Sequence, residues 1–169
     1  LTVLAASEPE TTKLSDVLPS YTIYASSISV GSVDSYLEAY SHFKDSGQKL
    51  AAYESGLSAL KKNGTSKEEF LYIFAPEEIA RASFKVKGVL ESVNMIRTGK
   101  NASFRPEDGM TVSDFPYDGY MSAIFGSYFD LADESCFAYV DGWVISGNRQ
   151  AVSEFVSGSA LEYTLKDMM

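Results

Sequence analysis

Asp141-Gly142 stands between two extended apolar runs, residues 135–140 and 143–146. A two-residue connection can join neighbouring strands only as an antiparallel hairpin. Asp-Gly suits the type I′ turn because both residues tolerate positive φ. The pattern also occurs upstream, where residues 79–86 and 89–97 flank Lys87-Gly88. Two such hairpins commit the chain to an antiparallel sheet.

The remaining segments mix strand and helix. Residues 1–6, 21–30 and 111–115 are rich in β-branched and aromatic residues and predict strands. Ser32 is a good helix N-cap, with Asp34 in the first turn and Val33, Tyr36, Leu37, Tyr40 and Phe43 at helical spacing before Gly47. Leu50, Tyr53, Leu57 and Leu60 mark a second helix that ends in Lys61-Lys62 and stops at Asn63-Gly64. Thr65 or Ser66, each with a Glu three residues on, offers a capping box for a third helix through Phe74, and Pro76 resets the pattern. Asp118-Gly119 is expected to start a helix carrying Met121, Ile124, Phe125 and Tyr128. Asn148 caps another with Val152, Phe155 and Val156 inside, ended by Gly158, and a last helical piece is expected over residues 160–169. Helices and hairpins are segregated rather than strictly alternating. The expected class is therefore α+β, a mainly antiparallel sheet built from hairpins with helices packed on it, as one domain over residues 1–169.

Charge then narrows the partners. The chain of 169 residues has a net charge of −9, and the acidity is uneven. Residues 1–100 hold 11 Lys/Arg against 12 Asp/Glu, whereas residues 101–169 hold 3 against 11. Nucleic-acid binding depends on clustered Lys and Arg, so no nucleic-acid partner is expected. Apolar runs reach about six residues, against the ~20 a membrane-spanning helix requires, so no membrane insertion is expected either.

The common catalytic constellations are missing. His42 is the only histidine, with Glu38 one helical turn back, and no Gly-x-Ser-x-Gly elbow accompanies it. Ser41-His42-Phe43-Lys44 and Ser58-Ala59-Leu60-Lys61 match Ser-x-x-Lys, but neither Ser opens its helix and no Ser-Asp-Asn is present. Cys136 is the only cysteine and reads as a small buried hydrophobe, so neither a disulfide nor a zinc site of ordinary composition is available. Glycine-rich phosphate loops are absent. Asp108, Asp114, Asp118, Asp130, Asp133 and Glu134 lack calcium-loop spacing and read as a solvated acidic surface. The carboxylate pair Asp114 and Asp118 is the least favoured catalytic option. No enzyme, cofactor or metal is expected. One loop suggests binding instead: Phe115, Tyr117 and Tyr120 surround Pro116, and exposed rings there would suit a glycan, a small ligand or a protein.

Several stretches carry a resemblance. They are Val17-Leu18-Pro19, the run from Ser32 to Tyr40, Ala82-Ser83-Phe84-Lys85-Val86 with Val93-Asn94-Met95-Ile96-Arg97, and Asp141-Gly142-Trp143-Val144-Ile145-Ser146-Gly147. Together they resemble uncharacterised envelope proteins of Bacteroidetes, a family of unknown function whose halves repeat α+β units. The resemblance implies an extracytoplasmic protein, exported and able to carry a lipid anchor, of which this chain is a fragment or one half. It supplies no catalytic residue. The expected function is a non-catalytic structural or interaction domain with a protein partner. Glycan or small-ligand binding by the loop 115–120 is the alternative.

Overall fold

Both predicted hairpins form. The computed structural model describes residues 11–62, 64–106 and 109–160. In chain order the elements are β1 (Tyr24–Ser29), α1 (Val33–Ser46), α2 (Leu50–Lys62), α3 (Lys67–Phe74), β2 (Pro76–Val86), β3 (Val89–Thr98), β4 (Gly109–Asp114), α4 (Tyr120–Phe125), β5 (Cys136–Val140), β6 (Trp143–Gly147) and α5 (Arg149–Ala160). Single 3-10 turns cover Leu14–Asp16 and Ser127–Phe129. The strand expected over residues 1–6 lies outside the described residues, as does all but Ala160 of the helical piece expected over residues 160–169.

Local chemistry accounts for most boundaries. Lys87 and Gly88 take φ of +50° and +84°, and Asp141 and Gly142 take +49° and +84°, so the two turns share one geometry. The Ser32 side chain accepts from the Ser35 N–H at the start of α1. Ser66 and Glu69 form the reciprocal capping box of α3. The Asn148 side chain accepts from the Ala151 N–H at 2.8 Å and caps α5.

Several boundaries differ from expectation: β2 begins at Pro76 and β4 at Gly109, each a few residues early, and three others have a visible cause. The first strand starts at Tyr24 rather than Tyr21, because the Pro19 carbonyl accepts from both the N–H and the hydroxyl of Thr22, closing a turn. Gly126, at φ +112°, ends α4 early, so Tyr128 leaves the helix and sits in a 3-10 turn. Gly158 does not end α5, which runs on to Ala160.

The six strands among the described residues form one antiparallel sheet in the order β1-β2-β3-β6-β5-β4. The fold class is α+β, with the sheet built from hairpins as the sequence predicts. Alternation along each strand divides the core in two. On one face Ala82, Phe84, Met95, Trp143 and Ile145 pack against Val152 and Phe155 of α5 and against Leu14, Val17 and Leu18. On the other, Ile79, Ile96 and Val144 meet Tyr36 and Leu37 of α1, Phe70 and Phe74 of α3, and Ile124 of α4. Burying each such large apolar side chain is worth roughly 1.5–3 kcal/mol.

The order also has a symmetry. A strand, a helical segment and a hairpin occur first as β1, α1–α3 and β2–β3, then again as β4, α4 and β5–β6. The last strands of the two units, β3 and β6, meet at the centre through four facing pairs from Asn94–Ser146 to Arg97–Trp143. Among the described residues the first strands, β1 and β4, are the two outer edges.

Candidate functional site

The aromatic loop points inward. Phe115 and Tyr120 are buried, and Tyr117 is half-buried against the same cluster. The Tyr120 ring stacks on Phe70 at 5.4 Å, and Tyr117 meets Phe70, Phe74 and Phe115 edge-on at 5.4–5.6 Å. The Tyr120 hydroxyl donates to the Thr65 carbonyl at 2.9 Å. The expected open platform at Phe115, Tyr117 and Tyr120 is therefore filled by α3, whose Phe70 and Phe74 take up the ring faces a ligand would need.

The other expected groups are scattered. His42 lies exposed on α1, 4.0 Å from Glu38. Asp114 is exposed and pairs with Arg149 at 3.4 Å. Asp108 lies outside the described residues. Cys136 is buried, with the Ser135 hydroxyl 3.8 Å from its sulfur. Among the described residues no group of three His, Cys, Asp or Glu side chains converges as a metal site would require. No helix among them is long and apolar enough to cross a membrane.

One acidic residue has an environment of its own. Glu134 is buried just before β5. Its Oε1 accepts from Asn94 Nδ2 at 2.9 Å and from the Ser146 hydroxyl at 2.7 Å, and its Oε2 accepts from the Gly119 N–H at 3.2 Å. Asn94 Nδ2 also donates to the Phe129 carbonyl at 2.7 Å. Burial pushes the Glu134 carboxyl above the usual carboxylate range, and the three hydrogen bonds oppose that push. Displaced acids often mark function. This one ties β3 and β6 to the segments on either side of α4, and other residues line the surface grooves. Asn94, a polar residue in the apolar run Val93-Asn94-Met95-Ile96, was the signal for it in the sequence.

A groove of about 430 Å³ is lined by Lys13, Asp16, Arg97, Thr98, Asp141 and Trp143. The Arg97 guanidinium there is already engaged, 2.8 Å from Glu77 and 3.3 Å from Glu78. Thr12 and the Lys13 N–H also bond to the Glu78 carboxylate. These charges offset one another rather than facing a ligand.

The two outer edges of the sheet differ. Unpaired strand edges invite pairing with other chains, and proteins usually blunt them with charge, proline or a bulge. β4 is blunted: its register with β5 shifts between Gly109 and Ser113, it ends in Asp114, and α5 packs on it. β1 pairs with β2 without a shift from Tyr24–Ser83 to Ser29–Glu78. The 13 residues from Tyr21 to Val33 include no charged residue and no proline. Ile23 and Tyr24 are 59% and 55% exposed, and Tyr21 and Tyr128 are also exposed. Tyr128 lies beside this edge, its hydroxyl 2.5 Å from the Ser26 hydroxyl. Arg81 holds it there by donating to the Tyr128 and Asp130 carbonyls and sitting 5.7 Å over its ring. On the opposite face a groove of about 350 Å³ runs along β1, lined by Thr12, Leu14, Leu18 and residues 22–27. The uncharged run was readable as a strand, but its place at an edge depends on long-range pairing.

No family model, curated protein or solved structure matches the chain.

Proposed function

We propose that the chain is a non-catalytic interaction domain that takes up a strand of its partner along the outer edge of β1. The carrying observation is the contrast between the edges: β4 has a shifted register, an acid and a helix against it, whereas β1 is in unbroken register with β2, uncharged and flanked by exposed Ile23, Tyr24 and Tyr128. Main-chain hydrogen bonds would supply affinity, and the groove beside residues 22–27 would receive alternate side chains of the added strand. An extracytoplasmic site of action follows from the resemblance to envelope proteins and belongs to the same proposal.

A peptide-display selection tests the reading. The Val30 N–H donates to the Glu77 carbonyl. Because bonding direction alternates along an antiparallel strand, the N–H groups of Ala25, Ser27 and Ser29 point away from β2. Ser27→Pro therefore removes an outward donor and spares the β1–β2 ladder. Selected peptides are expected to bind the parent chain and lose binding to Ser27→Pro, with circular dichroism unchanged. Peptides that bind both equally, or a selection that yields none, would sink the reading.

A further inference from the structure

We infer that the strand taken up at β1 is β1 of a second copy, giving a two-fold dimer with a continuous twelve-stranded sheet; this rests on the strand-accepting reading above. Three observations carry it.

The first is where the charge lies. Of the acids in the last third, Asp114, Asp133 and Asp141 belong to the β4–β5–β6 side of the sheet, whereas Asp130 approaches β1 through Arg81 and Glu154 approaches Tyr21. With strands ~4.8 Å apart, five intervals place β4 about 24 Å from β1, so joining β1 to β1 leaves the two β4 edges about 50 Å apart, against a Debye length of ~8 Å. A chain of net charge −9 repels its own copies in most orientations. Meeting through the uncharged edge keeps the acidic edges apart.

The second is self-complementarity. A two-fold axis through the sheet at Ser26 keeps the two like faces continuous and sets Tyr24 opposite Ile28 of the second copy, twice. Aromatic and β-branched residues facing each other across strands are a favourable pair. The outward N–H groups of Ala25 and Ser27 then meet each other's carbonyls across the axis in the ordinary antiparallel pattern.

The third excludes the head-to-tail alternative. Pairing β1 with β4 of the next copy would build an open filament. The shifted register of β4 and the helix packed on it leave no regular edge to receive a strand.

Light scattering with size-exclusion chromatography over rising concentration tests the inference. The parent chain is expected to shift from 18.5 kDa to twice that mass. Ser27→Pro should remain monomeric. Tyr24→Lys, which changes an exposed side chain and no backbone group, should weaken the dimer at least tenfold, and it decides the matter where the proline variant fails to fold. A dimer that persists in Tyr24→Lys and in folded Ser27→Pro overturns the inference, as does a mass that grows without limit. A parent chain that stays monomeric also overturns it. In that last case, peptides still captured in a Ser27→Pro-sensitive way preserve the strand-accepting reading, and their absence ends both.

Discussion

Tyr21 occupies the space that a side chain on Gly158 would need. Its hydroxyl donates to the Glu154 carbonyl at 2.6 Å, its ring meets Phe84 edge-on at 5.8 Å, and a Cβ on Gly158 would lie 2.6 Å from Cε1 and Cζ of the ring. Alanine normally improves a helix interior over glycine by roughly 0.5–1 kcal/mol. Here Gly158→Ala is expected to destabilise by about 1 kcal/mol, since the ring must move and give up its contacts. In a Tyr21→Ala background the same substitution should stabilise by ~0.5 kcal/mol. Urea denaturation of the four chains in this cycle reads the reversal of sign, and equal effects in both backgrounds would refute the steric account.

Glu134 makes stability depend on pH in an unusual direction. Its folded-state carboxyl titrates above the ordinary 4.5, chiefly because it is buried. Between the two values the folded chain holds a proton that the unfolded chain has lost. This contribution is therefore complete below 4.5 and declines as pH rises through the folded value. Glu134→Gln is expected to flatten that decline. The check is the difference in melting temperature between parent and variant, followed from about pH 4 to about pH 8. A difference that does not change with pH would contradict it.

Three phenols whose surroundings exclude part of the solvent act at the alkaline end. Burial raises Tyr21, Tyr36 and Tyr53 from 10.0 to about 12. The unfolded chain loses these protons first, so stability present below 10 is lost as pH climbs toward 12. Tyr36 is almost fully buried, and Tyr36→Phe should remove about 1 kcal/mol of the alkaline loss. Urea midpoints at about pH 9 and about pH 11 measure it; an unchanged loss in the variant would count against it.

Ser66 and Glu69 satisfy each other's backbone N–H groups at the start of α3. Ser66→Ala is expected to cost about 1 kcal/mol, and Ser66→Asp to recover most of it. Equal stability of parent and alanine variant by urea denaturation would show that the box contributes nothing.

Much of this fold was legible because its signals are local. Asp141-Gly142, Lys87-Gly88, Ser32, Ser66 and Asn148 each act within four residues of themselves, and each occupies the turn or cap its chemistry suggests. What stayed hidden depends on distant partners. Gly158 looked like a helix end, but its role is to admit Tyr21 from more than a hundred residues away. Phe115 and Tyr120 looked uncommitted because the Phe70 and Phe74 rings that cover them belong to another helix. Glu134 was one acid among several until Asn94 and Ser146 met across the sheet. The uncharged run around β1 became informative only once pairing placed it outermost.

The two halves hold each other at more places than the centre of the sheet. They meet through the four facing pairs of β3 and β6, through the Phe70–Tyr120 stack on one face, through Phe84 and Phe155 on the other, and through Asn94 and Glu134. Coupling is therefore spread across both layers, and a cavity made at Ile96 or Val144 should lower the melting temperature of a single transition rather than divide it.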